Sequence, residues 1–333
     1  MSDDDEFRRL MARVDLSTTP LDAPLSPRAE AELLRIKSAP TRPAQRAVRP
    51  RWFALSGIAA MVLVLVFAVQ HFTPLGGTGN NAVAATPPLL VGSVTDTTFG
   101  ETMDRAMEKL NGVSATPSPV RGATYQAWFM NTDVNASGEA ISYVSPQEVT
   151  FEWAEDLSGR LLTVAGKPLP SADGRRASSD APAEGTVLSD QSFAPGETGV
   201  LFSQEPPADA DALRAYLQSA GGYVDDSDPV IILDTVMQLL NEWTLTNSEK
   251  SALLQILKGV DGFQSLGDVI DRLGRPGHAF TAQTPDGHWQ NVLVIGSETG
   301  DILSMEKVYL GGIPESFLTA PSVVSYVAWS TSD

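Results

Sequence analysis

Between Trp52 and Phe72 the chain carries no Asp, Glu, Lys or Arg, and its centre, Met61 to Val69, is almost wholly Val, Leu, Phe and Met. A helix of this length covers roughly 30 Å, one hydrocarbon core. Arg42, Arg46, Arg49 and Arg51 stand just before it with no acid among them, and the next charge after it is Asp96. The positive-inside rule then predicts a cytoplasmic N-terminus and an extracytoplasmic C-terminal part. Trp52 and Phe53 at one end, with His71 and Phe72 at the other, sit where interfacial anchors belong. A buried core helix would carry a polar face and would leave the arginines unexplained. A cleaved signal peptide is the rival reading, because Ala82-Val83-Ala84 has the small-x-small form. That site lies well past the apolar run, however, and the segment before the run is too long for ordinary secretion. The expected organisation is a cytoplasmic tail over 1–51, one transmembrane helix over 52–72, a linker over 73–95 and an outer domain over 96–333, in a single-pass cell-membrane protein.

Charge follows the same division. Residues 1–51 carry 10 Lys+Arg and 8 Asp+Glu, whereas the other 282 carry 13 and 33, a net of −20. Such a field repels phosphate backbones, so nucleic acid is not an expected partner of the outer part. The chain has no cysteine. Disulfides, thiolate metal sites and cysteine nucleophiles are excluded, and the outer domain must hold together by packing.

The tail is too short for a core of its own. Phe7, Leu10, Met11 and Val14 follow helical spacing behind the acidic run Asp3–Glu6. Ser26-Pro27 reads as N-cap and first residue of a second helix, running to about Lys37 with Leu33, Leu34 and Ile36. Two readings stand side by side. In one, Phe7, Leu10, Met11, Leu33 and Leu34 fold onto a cytosolic partner. In the other, the tail is solvated and only sets topology.

In the outer domain, Phe99, Met103, Ala106, Met107 and Leu110 predict a helix over 99–110. Strands are expected at Tyr125–Met130, Val149–Trp153 and Arg160–Val164, followed by a long exposed loop from Gly166 to Gly199. Three helices come next. One opens at Asp209 or Asp211, aligns Leu213, Tyr216 and Leu217, and stops at Gly221-Gly222. The second is capped by Asp228-Pro229 and striped by Ile232, Val236, Leu239, Leu240 and Trp243. The third is opened by a Thr246/Glu249 capping box. Strands return at Ala279–Gln283, Trp289–Ile295, Ile302–Leu310 and Val323–Trp329, with turns at Pro285-Asp286-Gly287 and Glu298–Asp301. The expected class is α+β, an antiparallel sheet packed on helices.

No phosphate loop, nucleophile elbow or paired-histidine zinc motif occurs. The histidines are His71, His278 and His288. His278 and His288 flank an expected hairpin and are candidate bases for a serine, although hairpin histidines are usually structural. Glu152, Glu155 and Asp156 offer carboxylates, but strand alternation explains Glu152. Asp225, Asp226 and Asp228 resemble part of a calcium loop without its full spacing, and capping accounts for Asp228. The expectation is no catalytic residue, no metal and no cofactor.

The chain resembles a family of actinobacterial single-pass membrane proteins commonly encoded beside extracytoplasmic-function sigma factors. The resemblance is carried by Leu25-Ser26-Pro27-Arg28-Ala29 with Leu33-Leu34, by Pro206–Leu217, and by Leu239-Leu240. Ser251–Leu254, Gly259-Val260, Gly274–Gly277 and Thr299–Leu303 extend it. Lys258 stands where the family tends to have proline, and Ser297-Glu298 where Asp-Pro is common. The resemblance implies no established enzymatic activity. The first expectation for function is a membrane-anchored envelope sensor or regulator, anti-sigma-like through its cytoplasmic segment, with a sigma factor or other cytosolic protein as partner of residues 1–51. The order helix, strands, helices, strands is also similar to the half-barrel domains of periplasmic lipoprotein carriers and of outer sensors that govern sigma-factor regulators. In an alternative reading the outer domain binds lipid or another envelope ligand. Trp128, Phe151, Trp153 and Trp289 would then line the site, although such aromatics are more often plain core.

Overall fold

In a computed structural model of the chain, the described residues are 86–333 apart from 94, 113–117, 131–132, 135–139, 142–143, 170–180, 222–227, 314–317 and 331–333. The apolar run over 52–72, both tail patterns and Asp225 and Asp226 lie outside them. Among the described residues no helix is long and apolar enough to cross a membrane. The elements are α1 (Phe99–Asn111), β1 (Val120–Phe129), β2 (Asp133–Val134), β3 (Ala140–Ile141), β4 (Gln147–Trp153), β5 (Gly159–Ala165) and β6 (Val187–Phe193). Then come α2 (Ala210–Gly221), α3 (Pro229–Glu242), β7 (Trp243–Thr244) and α4 (Asn247–Lys258). The last five are β8 (Gln264–Ile270), β9 (Pro276–Gln283), β10 (Trp289–Gly296), β11 (Ile302–Tyr309) and β12 (Ser322–Trp329). The α+β expectation holds, with a large antiparallel sheet and a few helices.

The main sheet has the order β6-β5-β4-β1-β12-β11-β10-β9-β8, with β7 added beside β1. Two antiparallel meanders, one from each side of the helical segment in sequence, are therefore fused by a single pairing. Tyr125 opposite Trp329 and Phe129 opposite Ser325 fix its register.

Over β9 to β12 both faces of the sheet are buried. Leu293 and Ile295 of β10 point into a core shared with Met103, Leu110, Leu213, Ile232, Leu239 and Leu253 from the helices. Val292 and Val294, alternating with them, join Trp128, Val308, Val323 and Tyr326 on the other face. This is why β10 reads as an unbroken apolar run: successive strand residues point to opposite faces, and here both are buried.

The helices begin and end where local chemistry dictates. Thr98 with Glu101, and Thr246 with Glu249, form reciprocal capping boxes at α1 and α4. The Asp228 carboxylate accepts from Val230 N at 2.9 Å and Ile231 N at 3.4 Å, with Pro229 at the first helical position of α3. These side chains satisfy amides that have no partner within the helix.

Two expectations are corrected. The loop foreseen over Gly166–Gly199 contains β6, paired to β5 from Gly159 opposite Phe193 to Val164 opposite Val187. It is an edge strand with Val187 and Leu188 exposed, so it lacks the apolar alternation that marks a half-buried strand. Strand β8 was also not foreseen, because a register shift between Ser265 and Gly267 breaks its period of two. The end of the expected linker is engaged too: Ser93 bridges Asp268, and Leu90 packs on the second cluster.

The junction of α3 and β7 ties these parts together. Glu242 is 1% exposed, and its carboxylate accepts from Leu201 N at 3.0 Å, Phe202 N at 2.8 Å and Gln238 Nε2 at 2.7 Å. The Trp153 indole donates to the Glu242 carbonyl at 2.8 Å, and the Trp243 indole to the Phe202 carbonyl at 2.7 Å. Burial pushes the Glu242 carboxyl above its ordinary range, while the two backbone amides and Gln238 oppose the shift. A raised folded pKa means that this group's contribution to stability is fully present below its unfolded value. That contribution is lost as pH rises through the folded one. Glu242→Gln is therefore expected to flatten this component of the stability–pH profile. Glu242→Ala is expected to cost about 2–3 kcal/mol by stranding the Leu201 and Phe202 amides. Urea denaturation across the acidic range checks both.

Candidate functional site

Strand β7 is two residues long, yet it builds one wall of a cavity. Trp243 lies opposite Arg121 and Gly122, and the Thr244 hydroxyl donates to the Gly122 carbonyl at 2.9 Å. Gly122 has φ +127°, and a Cβ there would meet the Phe151 carbonyl oxygen at 2.2 Å. Only glycine permits this approach. A second wall comes from α4, and a third from the turn between β10 and β11. Gly300 of that turn lies so close to α1 that a Cβ would meet the Ala106 carbonyl oxygen at 2.4 Å.

The space between them is about 60 Å³, lined chiefly by Leu240, Trp243, Leu253, Leu254, Ile302 and Trp329. At its polar side Lys250 Nζ of α4 meets Asp301 Oδ1 of the β10–β11 turn at 2.7 Å. Their side chains are 25% and 13% exposed, so the pair is shielded from water without being sealed off. The Trp329 indole spends its donor on Asn241 Oδ1 at 3.0 Å, as Trp243 spends its own on Phe202. The indoles therefore present apolar faces to the cavity, and the polar groups on its lining are Lys250, Asp301 and the nearby Thr124, Thr244 and Ser330. A void of this size holds a few waters or a very small ligand, well below the several hundred Å³ usual for larger ligands.

The four aromatics proposed from sequence as ligand-lining do not converge. Phe151 and Trp153 face the helices, and Trp153 packs edge-to-face on Trp243 with ring centroids 5.2 Å apart. Trp128 is buried in the cluster on the opposite face of the sheet. Trp289 is half-buried against Tyr309, with Lys307 Nζ 5.9 Å from its ring centroid. None of the four lines the cavity. Phe7, Leu10, Met11, Leu33 and Leu34 lie outside the described residues.

The two histidines differ. His288 Nδ1 is 2.9 Å from the Gly311 carbonyl oxygen, and the ring lies under Gly312, a local fastening of the chain after β11. His278, on β9, stands between two side chains of β8, with Nδ1 2.9 Å from Asp268 Oδ1 and Nε2 3.0 Å from Ser265 Oγ. Glu152 and Glu155 are exposed, while Asp156 accepts from Ser158 N and Oγ in a tight turn. Among the described residues no group of three His, Cys, Asp or Glu is arranged to hold a metal ion. The sequence offered no signal for the Lys250–Asp301 pair, whose members are 51 positions apart. No protein-family model matches the chain, and no curated protein matches it.

The cavity's energetics separate packing from charge. Leu253→Ala, at a fully buried wall position, is expected to cost about 2–5 kcal/mol by enlarging the void. Lys250→Ala is expected to cost about 1 kcal/mol, diminishing in high salt, because the ion pair is partly screened. Urea midpoints measured at low and high salt test this ordering.

Proposed function

We propose that the chain is a membrane-tethered envelope sensor, with its outer α+β domain joined through the 52–72 span to a cytoplasmic segment that holds a regulatory protein. The observation that carries this reading is the Lys250–Asp301 pair at the small apolar cavity. It fastens α4 to the β10–β11 turn, and a pair that is only partly shielded from water suits a contact that a signal in the envelope can break. The strand order, with two meanders fused into one sheet around the helices, supports a half-barrel arrangement like that of lipoprotein carriers. The alternative, a dedicated binder of lipid or another envelope ligand, asks for more room than the cavity of about 60 Å³ offers. A resident acyl chain would require the helices to move off the sheet.

On the cytoplasmic side, Phe7, Leu10, Met11, Leu33 and Leu34 supply the apolar faces that a sigma factor's groove would take, as two short helices ordered on binding. Full-length protein solubilised from native membranes is expected to bring down a stoichiometric sigma factor, and Leu10→Asp with Met11→Asp to abolish it. Co-purification that survives the double replacement would overturn the contact assignment. An empty eluate from the wild-type chain, with a lipid mass bound to the outer domain, would favour the binder.

A further inference from the structure

Ser265, His278 and Asp268 form a hydrogen-bonded relay on the β8–β9 hairpin, and we propose that it makes Ser265 a nucleophile toward activated acyl esters. The proposal is independent of the sensing role.

In a regular strand, residues 265 and 268 would point to opposite faces. The register shift after Ser265 inserts Leu266 as an extra residue, so Ser265 pairs with Phe280, Gly267 with Ala279, and Asp268 with His278. Both side chains are thereby turned to the imidazole. Gly267 makes this possible: its φ is +103°, and a Cβ would meet the Ser93 carbonyl oxygen at 1.9 Å. Ser93, bonded to Asp268 through both backbone groups at 2.9 and 3.1 Å, holds the far side of the bulge.

The order of the three groups matters. Asp268 Oδ1, 2.9 Å from His278 Nδ1, can only accept from a ring N–H when ionised. That fixes the neutral ring with its proton on Nδ1 and its lone pair on Nε2, facing Ser265 Oγ at 3.0 Å. This is the tautomer a general base requires. The exposures suit the roles as well. Ser265 is exposed and reachable, whereas the His278 side chain is 7% exposed and held against Phe280 with centroids 4.9 Å apart. The Asp268 side chain is 65% exposed. Water weakens its field, so it acts mainly by orienting the ring.

The neighbouring surface indicates the substrate. Phe99 and Phe263, both half-buried, stack at 4.3 Å, and Phe99 meets Phe280 edge-on at 4.8 Å. An apolar acyl or aryl group would lie against this wall. In the step, the Ser265 Oγ–H proton passes to His278 Nε2 as Oγ bonds the acyl carbon. The acyl carbon–oxygen bond to the leaving alcohol breaks, and His278 returns the proton to that oxygen. A water molecule, deprotonated in its turn by His278, then cleaves the acyl-serine and restores the hydroxyl.

The test is labelling of the full chain in detergent with an alkyl fluorophosphonate, the site being mapped by peptide mass spectrometry. Label at Ser265 is expected, at a rate that exceeds that of the other exposed serines and does not climb linearly with hydroxide. Ser265→Ala should remove it, and Asp268→Asn should slow it about tenfold without altering the thermal unfolding midpoint. Slow p-nitrophenyl ester hydrolysis should follow the same pattern. Wild-type protein left unlabelled at Ser265 would overturn the proposal. So would a labelling rate that climbs linearly with hydroxide, because that is the behaviour of an ordinary exposed serine. The pH profile uses the wild-type chain, so the outcome does not depend on a His278 variant folding.

Discussion

A buried carboxylate at the end of α3 is the point on which this fold turns. Glu242 takes the amides of Leu201 and Phe202, and its own carbonyl takes the Trp153 indole. The next residue, Trp243, returns a hydrogen bond to Phe202 and starts the two-residue strand beside β1. A helix, a long connection and two strands from distant parts of the chain thus meet at two consecutive residues. Desolvating the carboxylate is costly, and the amides that offset it belong to a segment with no regular structure of its own. Phe202, fully buried and packed on Tyr216, is carried into the core by those contacts. Arg121 completes the cluster, its guanidinium carbon 5.4 Å from the Trp153 ring centroid and 5.2 Å from that of Trp243.

The opposite face is secured by a different device. The turn after β8 folds over the sheet, and Arg272 grips Glu306 of β11 with two bonds of 2.7 Å, the side chains being 8% and 1% exposed. Arg272 also lies over Tyr326 of β12. Arg275 of the same turn is held by Asp271 and donates to the carbonyls of Leu303 and Trp329. Two arginines therefore fasten the β8–β9 hairpin to β11 and β12, strands with which β8 and β9 do not themselves pair. Planar guanidinium groups suit this work because they satisfy several acceptors in fixed directions. A by-product is rigidity in the hairpin that carries Ser265, Asp268 and His278. A relay at an open strand edge would otherwise be expected to fray.

The proposed sensing contact and the proposed nucleophile are built from different materials. The Lys250–Asp301 pair joins a helix to a turn across a small void, and a modest change in packing or ionic conditions shifts it. The Ser265 relay is fixed by ladder register and by a glycine that no other residue can replace without a clash. One suits a two-state response, the other a fixed geometry.

Much of the architecture was legible in the chain. Thr98/Glu101, Asp228-Pro229 and Thr246/Glu249 mark helix starts by local hydrogen bonding alone, and the turns at Asp286-Gly287 and Gly300-Asp301 mark strand ends in the same way. The apolar run after Arg51 and the lopsided charge are likewise properties of residues beside one another in sequence. What the sequence could not express were features that depend on partners far along the chain. Strand β6 is stabilised by β5 rather than by its own pattern, and the bulge in β8 hides its period. Trp128 and Trp153 look equivalent in sequence, yet they lie on opposite faces because their strands, β1 and β4, each place alternate residues on either side. Ser265 and Asp268 carry no motif. Only the bulged ladder, by adding one residue and turning the strand half a period, brings both to His278.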